Sequence, residues 1–70
     1  MSKDQLIRIT GVKNLTGISK SYIYQLCQED RFPMPVKLVP GGTSVAWVAS
    51  EVQGWIDARI AERDGGAVNE

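Results

Sequence analysis

Between Ser19 and Gln28 the chain reads SKSYIYQLCQ, and its chemically capable side chains recur at helical spacing. At roughly 100° per residue, Ser21, Tyr24, Gln25 and Gln28 share one side of a helix, with Lys20 at its edge. Tyr22, Ile23, Leu26 and Cys27 share the other side. The polar side carries hydroxyls, two amides and a nearby amine, and no carboxylate. Gln25 and Gln28 have the donor–acceptor pair that matches an adenine edge, and Tyr24 can touch a thymine methyl or a phosphate. Ser19, Lys20 and Ser21 stand at the N-terminal end, where free amides and the helix dipole favour a phosphate. Any one of these residues alone is ordinary wet surface. Together on one helix they suit the reading of base edges, provided that other elements hold that helix at the surface.

Other chemistries find little support. The chain has no histidine, which removes the commonest general base and metal ligand. Cys27 is the only cysteine, so an internal disulfide is excluded and a zinc site is not expected. On its helix it reads as a small buried hydrophobe. Gly41 and Gly42 do not form a phosphate-binding Walker loop, and GxGxxG is absent. The carboxylates read as solvated helix surface. An enzyme, a cofactor and a small-molecule substrate are therefore not expected.

Seventy residues, 43% of them apolar, make one compact domain. No apolar run approaches the roughly 20 residues of a membrane span, and the N-terminus lacks the apolar centre of a secretion signal. A cytoplasmic protein without a membrane partner is expected. The net charge is zero but unevenly spread. Residues 1–48 carry six cations (Lys3, Arg8, Lys13, Lys20, Arg31, Lys37) against Asp4, Glu29 and Asp30, a net of +3. Residues 49–70 carry Arg59 and Arg63 against Glu51, Asp57, Glu62, Asp64 and Glu70, a net of −3. A basic front and an acidic back would orient the domain on a polyanion.

Several elements must position this helix. Residues 1–5 are a polar lead-in, expected to be disordered. Leu6–Ile9 suits a small strand or an extended segment. Thr10 can cap a helix over about 11–16, with Val12, Leu15 and Ile18 as its apolar stripe. Gly17 supplies the positive φ that a helix-turn-helix corner needs, and Ser19 is the expected N-cap of the next helix. Pro33 and Pro35 hold Phe32 and Met34 extended, with Phe32 plugging the space under the turn. Val36–Val39 and Ser44–Val48 flank Pro40-Gly41-Gly42, a hairpin pattern that after two helices reads as a wing. Lys13, Arg31, Lys37, Thr43 and Ser44 are its expected backbone contacts and those of the flanks. Ser50 and Gln53 fit a capping box, opening a helix with Val52, Trp55, Ile56 and Ile60 on one stripe. Trp47 and Trp55 are expected neighbours. The helix should stop near Arg63, before Gly65 and Gly66, leaving 64–70 as a flexible tail.

Three motifs occur together: TGISKSYIY (Thr16 to Tyr24), FPMPVKL (Phe32 to Leu38), and Trp47 followed by SEVQGWI (Ser50 to Ile56). In this order and spacing the chain resembles the AlpA family of prophage regulators, small winged-helix proteins of the MerR-like and excisionase-like group. The likeness spans about residues 6–63. It implies a recognition helix bearing Ser19, Lys20, Ser21, Tyr24 and Gln25, and a wing tip over 41–44. The chain departs from the family pattern in two places. It has Thr43 and Ser44 where an arginine often follows the wing glycines, and Gln25 where a basic residue is common. Both reduce the expected grip on phosphates.

The expected fold is mainly α with a small β-hairpin: a winged helix-turn-helix over residues 6–63. The expected function is sequence-specific binding of double-stranded DNA to regulate transcription on a prophage or integrated element, with integrase and excision genes as implied targets. Two other readings stand beside it, an excisionase that bends DNA and a protein-interaction module for a regulator or recombinase. One domain covers a short half-site, so a homodimer or several copies on DNA are expected. An integrase is the further partner that the resemblance allows.

Overall fold

The computed structural model describes the backbone of residues 4–68 and the side chains of residues 4–65. The disorder expected at residues 1–3 and 69–70 falls outside the described residues. The order is β1 (Leu6–Ile7), α1 (Ile9–Thr16), α2 (Lys20–Gln28), β2 (Val36–Lys37), β3 (Val45–Val48) and α3 (Ala49–Val68). The strands form one antiparallel sheet in the order β1-β3-β2. Leu6 stands opposite Val48 and Ile7 opposite Trp47; on the other side Val36 faces Ala46 and Lys37 faces Val45. The mainly helical domain with a β-hairpin is thus present, and Leu6–Ile7 adds a third strand to that hairpin.

The corner between α1 and α2 is built locally. Gly17 has φ 75°, and its amide donates to the Lys13 carbonyl at 2.7 Å. An L side chain is disfavoured there because its Cβ crowds the backbone. Thr16 Oγ1 donates to the Val12 carbonyl at 2.8 Å and accepts from the Ile18 amide at 3.2 Å, so one hydroxyl satisfies both sides of the turn. Ser19 caps α2 by accepting from the Tyr22 amide at 3.2 Å. At the wing, Pro40 and Gly41 (φ 79°) occupy the central positions of a turn closed by Gly42 N–H to the Val39 carbonyl at 2.9 Å. Proline first and a positive-φ glycine second is the type II pattern.

One core joins these pieces. Val12 of α1, Ile23, Leu26 and Cys27 of α2, Phe32, Trp47 of β3 and Val52 of α3 form a single buried cluster. Val12, Ile23, Trp47 and Val52 have no exposed surface. The Trp47 N–H donates to the Pro33 carbonyl at 3.0 Å, which also accepts the Cys27 thiol at 3.6 Å. The backbone between α2 and β2 is thereby fastened to the central strand.

Several expectations are corrected. α1 starts at Ile9, so Thr10 lies inside it, and the capping position falls to Arg8, whose side chain makes no cap bond. Ser50 and Gln53 form no capping box. α3 begins at Ala49, two residues earlier than a Ser50 cap requires; Ser50 Oγ donates to Asp4 Oδ1 at 2.9 Å, and the Gln53 amide donates forward to Asp57 at 3.0 Å. The same Ser50 bond, with the Ala49 amide donating to the Gln5 carbonyl at 2.6 Å, anchors the end of the lead-in. α3 continues through Gly65 and Gly66 to Val68 instead of stopping near Arg63. Leu15, Tyr22 and Ile60, all expected on apolar stripes, are exposed, because no neighbouring element covers them fully. Trp55 is half-buried, and the ring it meets is Phe32, at 4.8 Å between centroids in an edge-on arrangement, rather than Trp47. No helix among the described residues is long and apolar enough to cross a membrane.

Candidate nucleic-acid interface

α2 buries Ile23, Leu26 and Cys27, and this alone decides which side faces out. Lys20, Ser21, Tyr24, Gln25 and Gln28 are exposed on the outward side, as is the capping Ser19. With nine residues the helix is about 13 Å long, and its width of about 10–12 Å fits a major groove about 12 Å across.

Tyr24 is less free than its place on the polar side implies. Its ring lies 5.9 Å from that of Trp47, tilted by 56°, so it joins the outer face of α2 to the sheet. Its neighbour Tyr22 points the opposite way round the helix. Tyr22 lines a groove between α2 and α3 together with Ile18, Leu26, Trp55 and Arg59. In that groove the Arg59 guanidinium sits over the Trp55 ring at 5.2 Å and pairs with Glu62 at 2.6 Å.

The polar side is not carboxylate-free. The Gln25 amide Nε2 donates to Glu29 Oε2 at 3.3 Å, and Glu29 Oε1 lies 3.7 Å from the Arg31 guanidinium. Glu29 is the C-cap of α2, at φ −93° and ψ 6°. Asp30 follows in the left-handed region at φ 59°. The Arg31 amide then reaches back to the Leu26 carbonyl at 2.8 Å and the Asp30 amide to that of Cys27 at 3.1 Å. This is the paired-bond pattern of a Schellman motif, with an aspartate where glycine is usual. Glu29 is the one functional candidate that the sequence reading misses. Its spacing of four from Gln25 is the available signal.

The remaining expected contacts separate into two groups. Lys37 lies on β2, and Thr43 and Ser44 are exposed in the loop before β3, where the Ser44 carbonyl accepts from Leu38 at 3.0 Å. Lys13 is exposed on α1. Arg31 lies elsewhere: it borders the α2–α3 groove beside Trp55 and Arg59, and its carbonyl accepts the Trp55 N–H at 2.7 Å. The change in charge falls where α3 begins, at Ala49. The basic excess therefore belongs to α1, α2 and the sheet, and the acidic excess to residues 49–70.

Cys27 is buried, and this burial pushes its thiol above the ordinary range, against a smaller opposing effect of the Trp47 indole. A protonated thiol packed in a core suits structure rather than nucleophilic chemistry. Among the described residues no group of three or more His, Cys, Asp or Glu side chains could hold a metal ion.

A capped helix with a polar outer side, set after a tight corner and beside a hairpin, defines a small winged-helix-like domain of the helix-turn-helix class. The family comparison narrows this class. Residues 5–60, from the start of the sheet to most of α3, match the family described as prophage CP4-57 regulatory protein (AlpA). The chain belongs to this family of prophage regulatory proteins. It is also similar to the uncharacterized protein ORF88 of Enterobacteria phage P4, with 41% identity over 66 residues, covering 94% of this chain and 73% of that protein. No solved structure gives a significant match.

Proposed function

We propose that the chain is a sequence-specific binder of double-stranded DNA that regulates prophage genes, those for integration and excision among them. α2 enters the major groove and the β2–β3 wing rests on the flanking backbone. One observation carries this reading: on α2, five exposed polar or aromatic side chains oppose a buried apolar side, and the side that faces out is rich in base-reading groups. Family membership supports it independently.

Gln25 and Gln28 read base edges, Tyr24 contacts a methyl or a phosphate, and Ser19, Lys20 and Ser21 meet a phosphate at the N-terminus of α2. Lys13 and Lys37, with Thr43 and Ser44, hold the backbone on either side. Lys20 is the only cation on α2, so the grip of one copy is modest. Two or more copies on half-sites about one helical turn apart would supply the rest.

Selection from a library of random duplexes with the full chain tests this. A single enriched motif is expected, bound with an affinity that falls as salt rises. Lys20→Ala and Lys37→Ala should each flatten the salt slope by about 0.9 for every phosphate that is no longer neutralised. No enriched motif, or binding insensitive to salt, would overturn the reading.

A further inference from the structure

The carboxylate on the reading side of α2 is unexpected beside a polyanion. We propose that Glu29 is a specificity-determining residue, which holds the Gln25 amide in the state that reads adenine and disfavours guanine at the same position. The proposal rests on the DNA-reading assignment of α2 and deepens it.

The geometry has three parts. First, the Gln25 amide nitrogen lies 3.3 Å from Glu29 Oε2. A carboxylate only accepts, so the amide must turn its nitrogen toward it and its Oε1 away. One of the two amide orientations is thereby chosen. Second, one of the two N–H donors of Gln25 is used by Glu29. What remains for a base is one donor and one acceptor. Adenine offers an N6 donor and an N7 acceptor, which this pair matches. Guanine offers two acceptors, N7 and O6, which one remaining donor cannot satisfy. The Glu29 carboxylate would add repulsion to both of those acceptors. Third, the backbone that carries Glu29 is anchored. The residue sits at the C-cap, with backbone bonds on either side that close the end of α2. Its second oxygen lies 3.7 Å from Arg31, which offsets part of its charge. Gln25 and Glu29 are both exposed, so a base can reach the pair.

The test is the same duplex selection, run in parallel on the parent, Gln25→Ala, Glu29→Ala and Glu29→Gln. The parent should show one position with adenine on one strand, and Gln25→Ala should lose that preference. Glu29→Ala should keep the rest of the motif and bind it at least as tightly. Its adenine-over-guanine preference at the Gln25 position should fall by roughly tenfold, the lower range of what one base contact discriminates. Glu29→Gln retains an acceptor for the Gln25 amide without the charge, so it should fall between the two. An unchanged preference in Glu29→Ala would overturn the proposal, as would a uniform loss of affinity across all positions, which signals a merely structural role. A parent that enriches no motif would instead remove the DNA-reading assignment itself.

Discussion

The indole N–H of Trp47 donates to the carbonyl of Pro33 at 3.0 Å, and this bond fastens the segment after α2 to the central strand of the sheet. Trp47 has no exposed surface, and Pro33 is partly covered. The Trp47→Phe variant keeps a ring in the core but loses the donor and some volume. A loss of about 1–3 kcal/mol is expected from urea unfolding followed by far-ultraviolet circular dichroism. A loss below about 0.5 kcal/mol would mean that the bond contributes nothing beyond what water supplies to the open carbonyl.

Tyr24 serves the fold and the candidate interface together. Its ring leans on Trp47, and its side chain is 37% exposed. Tyr24→Phe keeps the ring pair and should change stability by less than about 0.5 kcal/mol. Tyr24→Ala should cost about 1–2 kcal/mol, because the ring pair and its burial both disappear. Any effect of Tyr24→Phe on DNA binding therefore reports the hydroxyl alone, and thermal unfolding of both variants checks this separation.

Two exposed backbone positions should accept stabilising substitutions. Gly54 lies within α3, and a Cβ there would meet nothing within 4 Å. Gly54→Ala should stabilise by about 0.5–1 kcal/mol through the smaller backbone entropy of alanine in the unfolded chain. Asp30 has the opposite need, since its φ of 59° suits glycine. Asp30→Gly should stabilise by roughly 0.5 kcal/mol and Asp30→Val should destabilise by about 1–2 kcal/mol. Midpoints of denaturant unfolding for the three variants test the two signs at once.

Cys27 gives a pH dependence with a defined direction. Burial raises its thiol above the ordinary value, so the folded state holds the proton to higher pH than the unfolded state. Stability from this source is fully present below the unfolded value and is lost as pH rises toward the folded one. As pH rises above the ordinary thiol value of about 8.5, the parent should therefore lose stability more steeply than Cys27→Ala, once the constant cost of the deleted sulfur is subtracted. The native thiol should also react with a disulfide reagent only at the rate of opening. Parallel stability profiles would show that Cys27 titrates alike in both states.

The legible parts of the fold are those with local causes. Gly17 adopts the positive φ expected of it, and Ser19 caps α2 as expected. The turn at Pro40 and Gly41 closes the wing, and Phe32 is buried, with its ring against Trp55. For the candidate site, the outward side of α2 is legible because Ile23, Leu26 and Cys27 have a periodicity that leaves no other side to bury. Glu29 is not legible as part of it. Its spacing from Gln25 is visible, but the last residue of a helix can turn in several directions. In the folded chain, which leaves α2 through Asp30 and Arg31, the Glu29 carboxylate meets the Gln25 amide.

The sequence by itself determined the order of the elements and the two sides of α2. These depend on spacing, capping and turn chemistry, which act over a few residues. The tertiary structure decided which members of each apolar stripe are covered. Tyr22 and Leu15 remain exposed, Trp55 meets Phe32 instead of Trp47, and Ser50 bonds to Asp4 from 46 positions away instead of capping its own helix. The reason is physical: helical spacing says which side a residue occupies, but burial needs a neighbour of matching width, and that neighbour comes from a distant part of the chain.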